Sequence, residues 1–293
     1  MSGSLNFETP TALGYFATLV TDDASLSLVE AAISIAHDDF PQLDTQSVLA
    51  EIDTLAARLK RRLPTDAAPV QRLRLLNRFF FQELGFAGNV NHFHDPRNSY
   101  LHEVLRTRRG IPITLAVLYI ELATQIGLTA RGVSFPGHFL VKLHMHAGQL
   151  RGEVVIDPFT GHSLSPDELD ERLAPYRRQR GLQGEFDVPL GLFLQAASAR
   201  EVLARMLRNL KEIHRSAGDS RRLLHVLQRL VVLLPQAWEE RRDRGSVYAE
   251  LGQTAAAVVD LETYLGHAAD APDREAVAAR LAALRNDRPP QRS

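Results

Sequence analysis

Residues 112–126, Pro-Ile-Thr-Leu-Ala-Val-Leu-Tyr-Ile-Glu-Leu-Ala-Thr-Gln-Ile, are apolar on nearly every side of a helix; only Thr114, Glu121, Thr124 and Gln125 are clearly polar. A helix with no polar face has nothing to offer water and is buried all round. The rest of the chain must therefore wrap one central helix and supply the layers that cover it. The break at Gly110-Ile111 starts that helix, and Pro112 falls in its first turn, where a missing N–H costs least.

The covering layers read differently before and after it. Over residues 9–85, Thr9-Pro10 offers a cap and a first-turn proline. Apolar residues then recur at helical spacing: Ala31, Ala32 and Ile35; Val48, Ile52, Leu55 and Leu59; Leu73, Leu76, Phe80 and Leu84. Gly85 is a C-terminal stop. Each helix has one apolar face and is expected to pack on something larger. Residues 88–98 are rich in turn formers and predict a structured loop, with a short helix near 99–107. Beyond the central helix the period falls to two. Strands are expected over 131–135, over 139–145 with Phe139, Val141, Leu143 and Met145 on one face, and over 153–157. Ser165, Pro166 and Glu168 form a capping box that starts a short helix. Gly181, Gly184, Pro189 and Gly191 mark 176–191 as a linker.

From about residue 192 the chain repeats itself at an offset of 34: Ile213 matches Val247, His214 Tyr248, Ala217 Leu251, Gly218 Gly252 and Leu227 Leu261. That is the period of tetratricopeptide helix pairs, with the glycine at the turn between helices. Pro235 divides the two units, and a helix over 274–285 presents Val277, Leu281 and Leu284 as a cap. Two repeats are fewer than a free-standing array needs, so this one is expected to lean on the preceding domain. The expected division is an N-terminal helical subdomain over 1–87, a core over 88–190, repeats over 192–286 and a disordered tail over 287–293.

Composition closes off several functions. With 34 basic and 35 acidic side chains the formal net charge is -1, which offers a polyanion no attractive field, so no nucleic-acid partner is expected. Zero cysteines exclude disulfides, thiolate zinc sites and thiol catalysis. There is no basic segment followed by an apolar one at the start, and no apolar run long enough to span a bilayer. A cytoplasmic protein without membrane partner, metal or cofactor is the expectation.

Several short runs carry more than composition. Asp95-Pro-Arg-Asn-Ser-Tyr-Leu, Arg109-Gly-Ile-Pro-Ile-Thr, Gly132-Val-Ser-Phe-Pro-Gly-His-Phe-Leu and Ile156-Asp-Pro-Phe-Thr-Gly occur in that order, ahead of the repeats. Together they resemble the bacterial SirB-type family, transglutaminase-like modules with a C-terminal tetratricopeptide tail, over roughly residues 20 to 270. The resemblance implies an α+β, papain-like core with N-terminal helices and an all-α helical extension. It also implies a triad: a cysteine at the start of the central helix, His138 as base and Asp157 orienting it. In the superfamily that cysteine precedes an alanine by four residues and a glycine by fifteen. Counting back from Ala116 and from Gly127 reaches Pro112 both times. The nucleophile position is therefore occupied by proline, and acyl transfer of the cysteine type is unavailable.

What remains is open to more than one reading. His138 and Asp157 are either a buried pair that ties two strands together or a surviving acid–base unit of a hydrolase or acyl transferase. Thr114 points away from the direction of Pro112, and Ser99 and Ser134 lack any nucleophile motif. His92, His94 and His102, or His144 and His146, are the residues with metal-ligating chemistry. Arg108, Arg109 and Arg131 are able to hold an anion near the helix start. In the repeats, Asn209, Glu212, Arg215, Asp243 and Ser246 are expected to line a groove between core-facing Ile213 and Val247. A protein or peptide is the expected partner there, with Arg215 suited to a carboxylate.

Overall fold

The structure is a computed structural model that describes residues 10–147, 150–182 and 188–286. Two compact units emerge, Asp23–Met206 on the one hand and the described parts of Met1–Asp22 and Leu207–Ser293 on the other. The first of these does not divide near residue 87. The central helix, Pro112–Gln125, is the reason: Ile113, Leu115, Ala116, Val117, Leu118, Tyr119, Leu122 and Ala123 are all at most 2% exposed. Helices Leu28–Ser34, Thr45–Lys60, Pro69–Asn77 and Leu101–Thr107 cover it together with four strands. Without those N-terminal helices its apolar surface would face water.

The strands are β1 (Ala87–Gly88), β2 (Arg109–Gly110), β3 (Thr129–Val133), β4 (Leu140–Ala147), β5 (Leu150–Ile156) and β6 (Ser163–Leu164). β1 and β2 pair in parallel, and β3-β4-β5-β6 form an antiparallel sheet in that order. Val141, Leu143 and Met145 lie buried on one face of β4, as the alternation predicts, while half-buried Lys142 and His144 reach Glu153 across the ladder at 3.5 and 3.2 Å. β3 begins and ends two residues earlier than expected. Ser134 and Phe135 leave the ladder for a turn in which the His138 N–H donates to the Phe135 carbonyl at 3.1 Å.

The helix after the capping box is long rather than short. Pro166–Arg180 spans 15 residues, tolerates Pro175 inside it, and ends on Gly181 at φ 66. The expected linker thus begins as helix. Leu169 and Leu173 are the cause: with Val133, Phe135, Leu140, Val155, Leu164 and Leu194 they build a second apolar cluster, and its burial outweighs the propensity penalty of one proline. Residues 183–187 of that expected linker lie outside the described residues.

In the other unit the sequence repeat is a repeat of geometry. Gly218 and Gly252 adopt φ 66 and 73 at the ends of their helices. The Asp219 N–H donates to the His214 carbonyl at 3.0 Å, and 34 residues on the Gln253 N–H donates to the Tyr248 carbonyl at 2.8 Å. Helices Ser220–Leu233, Trp238–Glu250, Thr254–His267 and Arg274–Asn286 follow in series, with Val277 and Leu281 of the last one buried on Leu261 and Tyr264. Val247 is buried as expected, whereas Ile213 is half-buried and its neighbour His214 takes the interior position. Helix Ala12–Leu19 belongs to this unit: it packs on Ser220–Leu233, with Phe16 fully buried beneath the Arg229 guanidinium. The two repeats therefore gain an extra layer from the N-terminal end of the chain. The expected tail, 287–293, lies outside the described residues.

Candidate functional site

His138 and Asp157 meet because of strand register. Val141 pairs with Ile156, so the turn entering β4 lies beside the residue leaving β5. His138 Nε2 donates to Asp157 Oδ1 at 2.8 Å. The same oxygen accepts the Phe159 N–H at 2.9 Å, and Oδ2 accepts Arg172 Nη1 at 3.1 Å. Asp157 is only 2% exposed. Burial alone would raise its pKa, but the bond and charge of His138, the Phe159 N–H and the Arg172 guanidinium outweigh burial and hold the carboxyl down at about 2. An ionised Asp157 requires the proton on Nε2, which leaves Nδ1 of a neutral His138 with its lone pair. The His138 side chain is 24% exposed, and Nδ1 takes no hydrogen bond from the described residues.

The His138 turn is gripped from a helix that the sequence reading did not single out. Arg205 Nη1 donates to Ser134 Oγ at 2.8 Å and to the Phe135 carbonyl at 3.3 Å, and Nη2 donates to the His138 carbonyl at 2.8 Å. Burial lowers the pKa of this guanidinium, and no carboxylate among the described residues pairs with it. Gly137, at φ 71, supplies the left-handed step of the turn. Behind Asp157, Phe81 lies against Gly161, where an added Cβ would come within 2.9 Å of the ring. Phe159 crosses the His138 ring edge-on at 6.5 Å and lies 6.1 Å from Phe93. Gly88 admits that Phe159 ring, since a Cβ there would sit 2.3 Å from it.

The loop that carries Phe93 is structured, as expected. Asn98, 4% exposed, donates to the His92 and Phe93 carbonyls at 2.6 and 3.2 Å and accepts from Asn89 at 2.9 Å. His102 packs instead between Phe40 and Tyr100, at 4.4 and 6.2 Å. Among the described residues no group of three or more His, Asp or Glu is arranged to hold a metal ion. The side chain of His146 lies outside the described set.

Pro112 is buried at the first position of the central helix. The hydroxyls near it in sequence are otherwise occupied or enclosed. Thr114 Oγ1 donates to the Asn98 carbonyl at 2.8 Å and accepts the Ile111 N–H at 3.2 Å. Ser134 accepts from Arg205, and the fully buried Ser99 hydroxyl has no partner among the described residues. Arg109 donates to the Gly85 and Arg108 carbonyls, Arg131 to the Ala130 carbonyl, and Arg108 lies over the Phe86 ring.

Between the repeat helices lies an open cleft of about 480 Å³ lined by His214, Arg215, Arg242, Asp243, Ser246 and Glu250 among others. Asn209 is not part of that lining. Asp243 gathers three cations: Lys211 at 2.7 Å, Arg215 at 2.8 Å and Arg242 at 2.7 Å. Lys211 also bonds buried Glu240 at 2.5 Å. Burial would raise the Asp243 pKa, and Lys211 and Arg242 pull it below the ordinary carboxylate value instead.

Comparison with known proteins agrees with this architecture. Residues 46–208 match the model of the transglutaminase-like superfamily, and residues 210–282 match the tetratricopeptide repeat. A UPF0162 protein of Xylella fastidiosa strain Temecula1 is 36% identical over 268 residues, 91% of this chain and 93% of that one. This chain belongs to the SirB-type transglutaminase-like family. A UPF0162 protein of Pseudomonas aeruginosa is 31% identical, with 82% and 84% of the two chains covered. Protein SirB1 of Salmonella typhimurium is 26% identical over 83% of this chain and 86% of that one. Within this SirB-type protein no helix of the described residues is long and apolar enough to cross a membrane.

Sequence reasoning brought together His138 with Asp157 and Arg215 with Asp243. It missed Arg172, Arg205 and Phe159. Phe159 stands in the quoted Ile-Asp-Pro-Phe run and was legible as part of it. Arg172 and Arg205 are two of many arginines on charged helix faces, and no local pattern marks them.

Proposed function

We propose that this SirB-type protein works by recognition and not by acyl transfer, its transglutaminase-like core being non-catalytic and its repeats taking a protein or peptide partner. One observation carries the first half. The position that supplies the superfamily's nucleophile is Pro112, whose ring nitrogen has neither proton nor usable lone pair, and the chain holds no cysteine to replace it. The cleft beside Arg215 and Arg242 supports the second half: these guanidinium groups, 44% and 30% exposed and paired with Glu212, Asp243 and Asp273, are able to exchange those partners for carboxylates of an acidic peptide. A cytoplasmic setting without nucleic-acid or membrane partner suits the near-neutral charge balance.

Affinity capture with the full chain, compared with a folded Arg215→Glu, Ser246→Arg variant, tests the reading. Partners that depend on the cleft are expected to disappear with the variant; an unchanged partner set refutes the assignment. A second reading is favoured by the free Nδ1 of His138: hydrolysis or acyl transfer by the His138–Asp157 pair without a thiol. Turnover of an amide or ester that is abolished by His138→Gln would establish it and overturn the first.

A further inference from the structure

Asp157 is a buried carboxylate with a partly exposed cationic group on each oxygen. His138 Nε2 holds Oδ1 and Arg172 Nη1 holds Oδ2, so the two groups stand no farther apart than two hydrogen bonds and the width of one carboxylate. Asp157 is the carboxylate hydrogen-bonded to both groups, and Glu168 adds a second negative charge near Arg172. Glu168, one helical turn before Arg172, is committed to its own helix start, accepting from the Ser165 N–H at 2.7 Å and from Ser165 Oγ at 2.9 Å.

Neither group is used up. A guanidinium carries five N–H donors, and Arg172 spends one on Asp157 while its side chain stays 40% exposed. His138 keeps Nδ1 unbonded and is 24% exposed. Beside the imidazole lies an aromatic pad: Phe159, edge-on to His138, then Phe93, whose side chain is 44% exposed on a loop pinned by Asn98. Exposed aromatic surface on a rigid loop is available to a ligand without an ordering cost.

We propose that His138 and Arg172 form a binding site for a carboxylate attached to an apolar or aromatic group, the carboxylate bridging the imidazolium and the guanidinium and the apolar group lying on Phe93 and Phe159. The site lies within Asp23–Met206 and uses none of the residues that line the repeat cleft. No bond is made or broken; Asp157 acts from behind, orienting the ring through its Nε2.

Titration of the full chain by NMR of its histidine ring resonances, at slightly acidic pH, tests the proposal with four probes: benzoate, acetate, benzamide and inorganic phosphate. Benzoate is expected to move the His138 resonances saturably at millimolar concentration, acetate to bind more weakly, and benzamide and phosphate to leave them in place. Arg172→Gln is expected to weaken benzoate by about tenfold or more. Phe93→Ser, an exposed change that leaves Asp157 and its partners untouched, is expected to remove the advantage of benzoate over acetate. Benzamide acting as well as benzoate would overturn the role of charge, and phosphate acting as well would overturn the choice of an apolar carboxylate. An unaltered benzoate titration in Arg172→Gln, or no shift in the unmodified protein, overturns the site.

Discussion

Replacing Asp157 by Asn removes one charge and almost no volume, which isolates the electrostatic worth of the His138–Asp157–Arg172 cluster. A carboxyl held at about 2 against an ordinary 3.8 corresponds to roughly 2.5 kcal/mol of preference for the charged form in the folded protein. Counting bonds leads to a similar figure. The carboxylate accepts from His138, the Phe159 N–H and Arg172, and Arg172 is 40% exposed, so its share is largely recovered by water. Two charge-assisted bonds then remain, worth about 3–6 kcal/mol together before the part-exposed His138 is discounted for solvent. Asp157→Asn is therefore expected to cost about 2–3 kcal/mol near pH 7 in urea melts. The sign of the pH dependence follows from linkage. A depressed folded-state pKa stabilises fully above the unfolded value near 3.8, and that contribution disappears as pH falls toward 2. The gap between wild type and variant is thus expected to close across that window, wherever the protein remains folded. A double-mutant cycle with His138→Ala is expected to show non-additivity of about 1 kcal/mol or more. A variant within about 0.5 kcal/mol of wild type at pH 7, with additive effects, would refute the reading, because Asp157 would then be free of the partners described for it.

Pro112→Cys is expected to fold and to expose no low-pKa thiol and no amide turnover, since one atom does not assemble an oxyanion site; alkylation rate against pH and turnover on a glutamine peptide check it. His102 holds both ring nitrogens buried without a hydrogen bond from the described residues, and burial keeps its pKa below the ordinary value despite Glu103 at 3.8 Å. The unfolded chain therefore binds the proton more readily, so this residue costs stability as pH falls below about 6.5. His102→Phe is expected to flatten that acid slope in thermal melts, and an unchanged slope would show that His102 does not titrate as described. Lys211→Met strands two carboxylates, Glu240 at 6% and Asp243 at 14% side-chain exposure, which keep only Arg208, Arg215 and Arg242. A loss of about 2–3 kcal/mol is expected in denaturant melts, and a neutral result would mean that the arginines alone compensate the pair.

The sequence by itself determined the elements whose causes are local or periodic. Residues 112–126 had to be buried because no face of that helix is polar, and β4 had to present Val141, Leu143 and Met145 to one side because a strand alternates. The 34-residue offset put Gly218 and Gly252 near the turns between paired helices, where the structure gives both a left-handed backbone. The absence of cysteine was readable at once from the composition. Only the tertiary structure decided what depends on distant partners. The helices before residue 87 lie in one compact unit with the sheet because they cover Pro112–Gln125, and helix Ala12–Leu19 joined the repeats because Phe16 is buried there. Helix Pro166–Arg180 ran through Pro175 because Leu169 and Leu173 had a sheet face to fill. Arg172 and Arg205, 15 and 67 residues from Asp157 and His138, acquired their parts in the site from packing alone. An arginine on a helix carries no mark of the carboxylate or carbonyl that it will reach, because that choice is made by how elements pack and not by its neighbours in the chain.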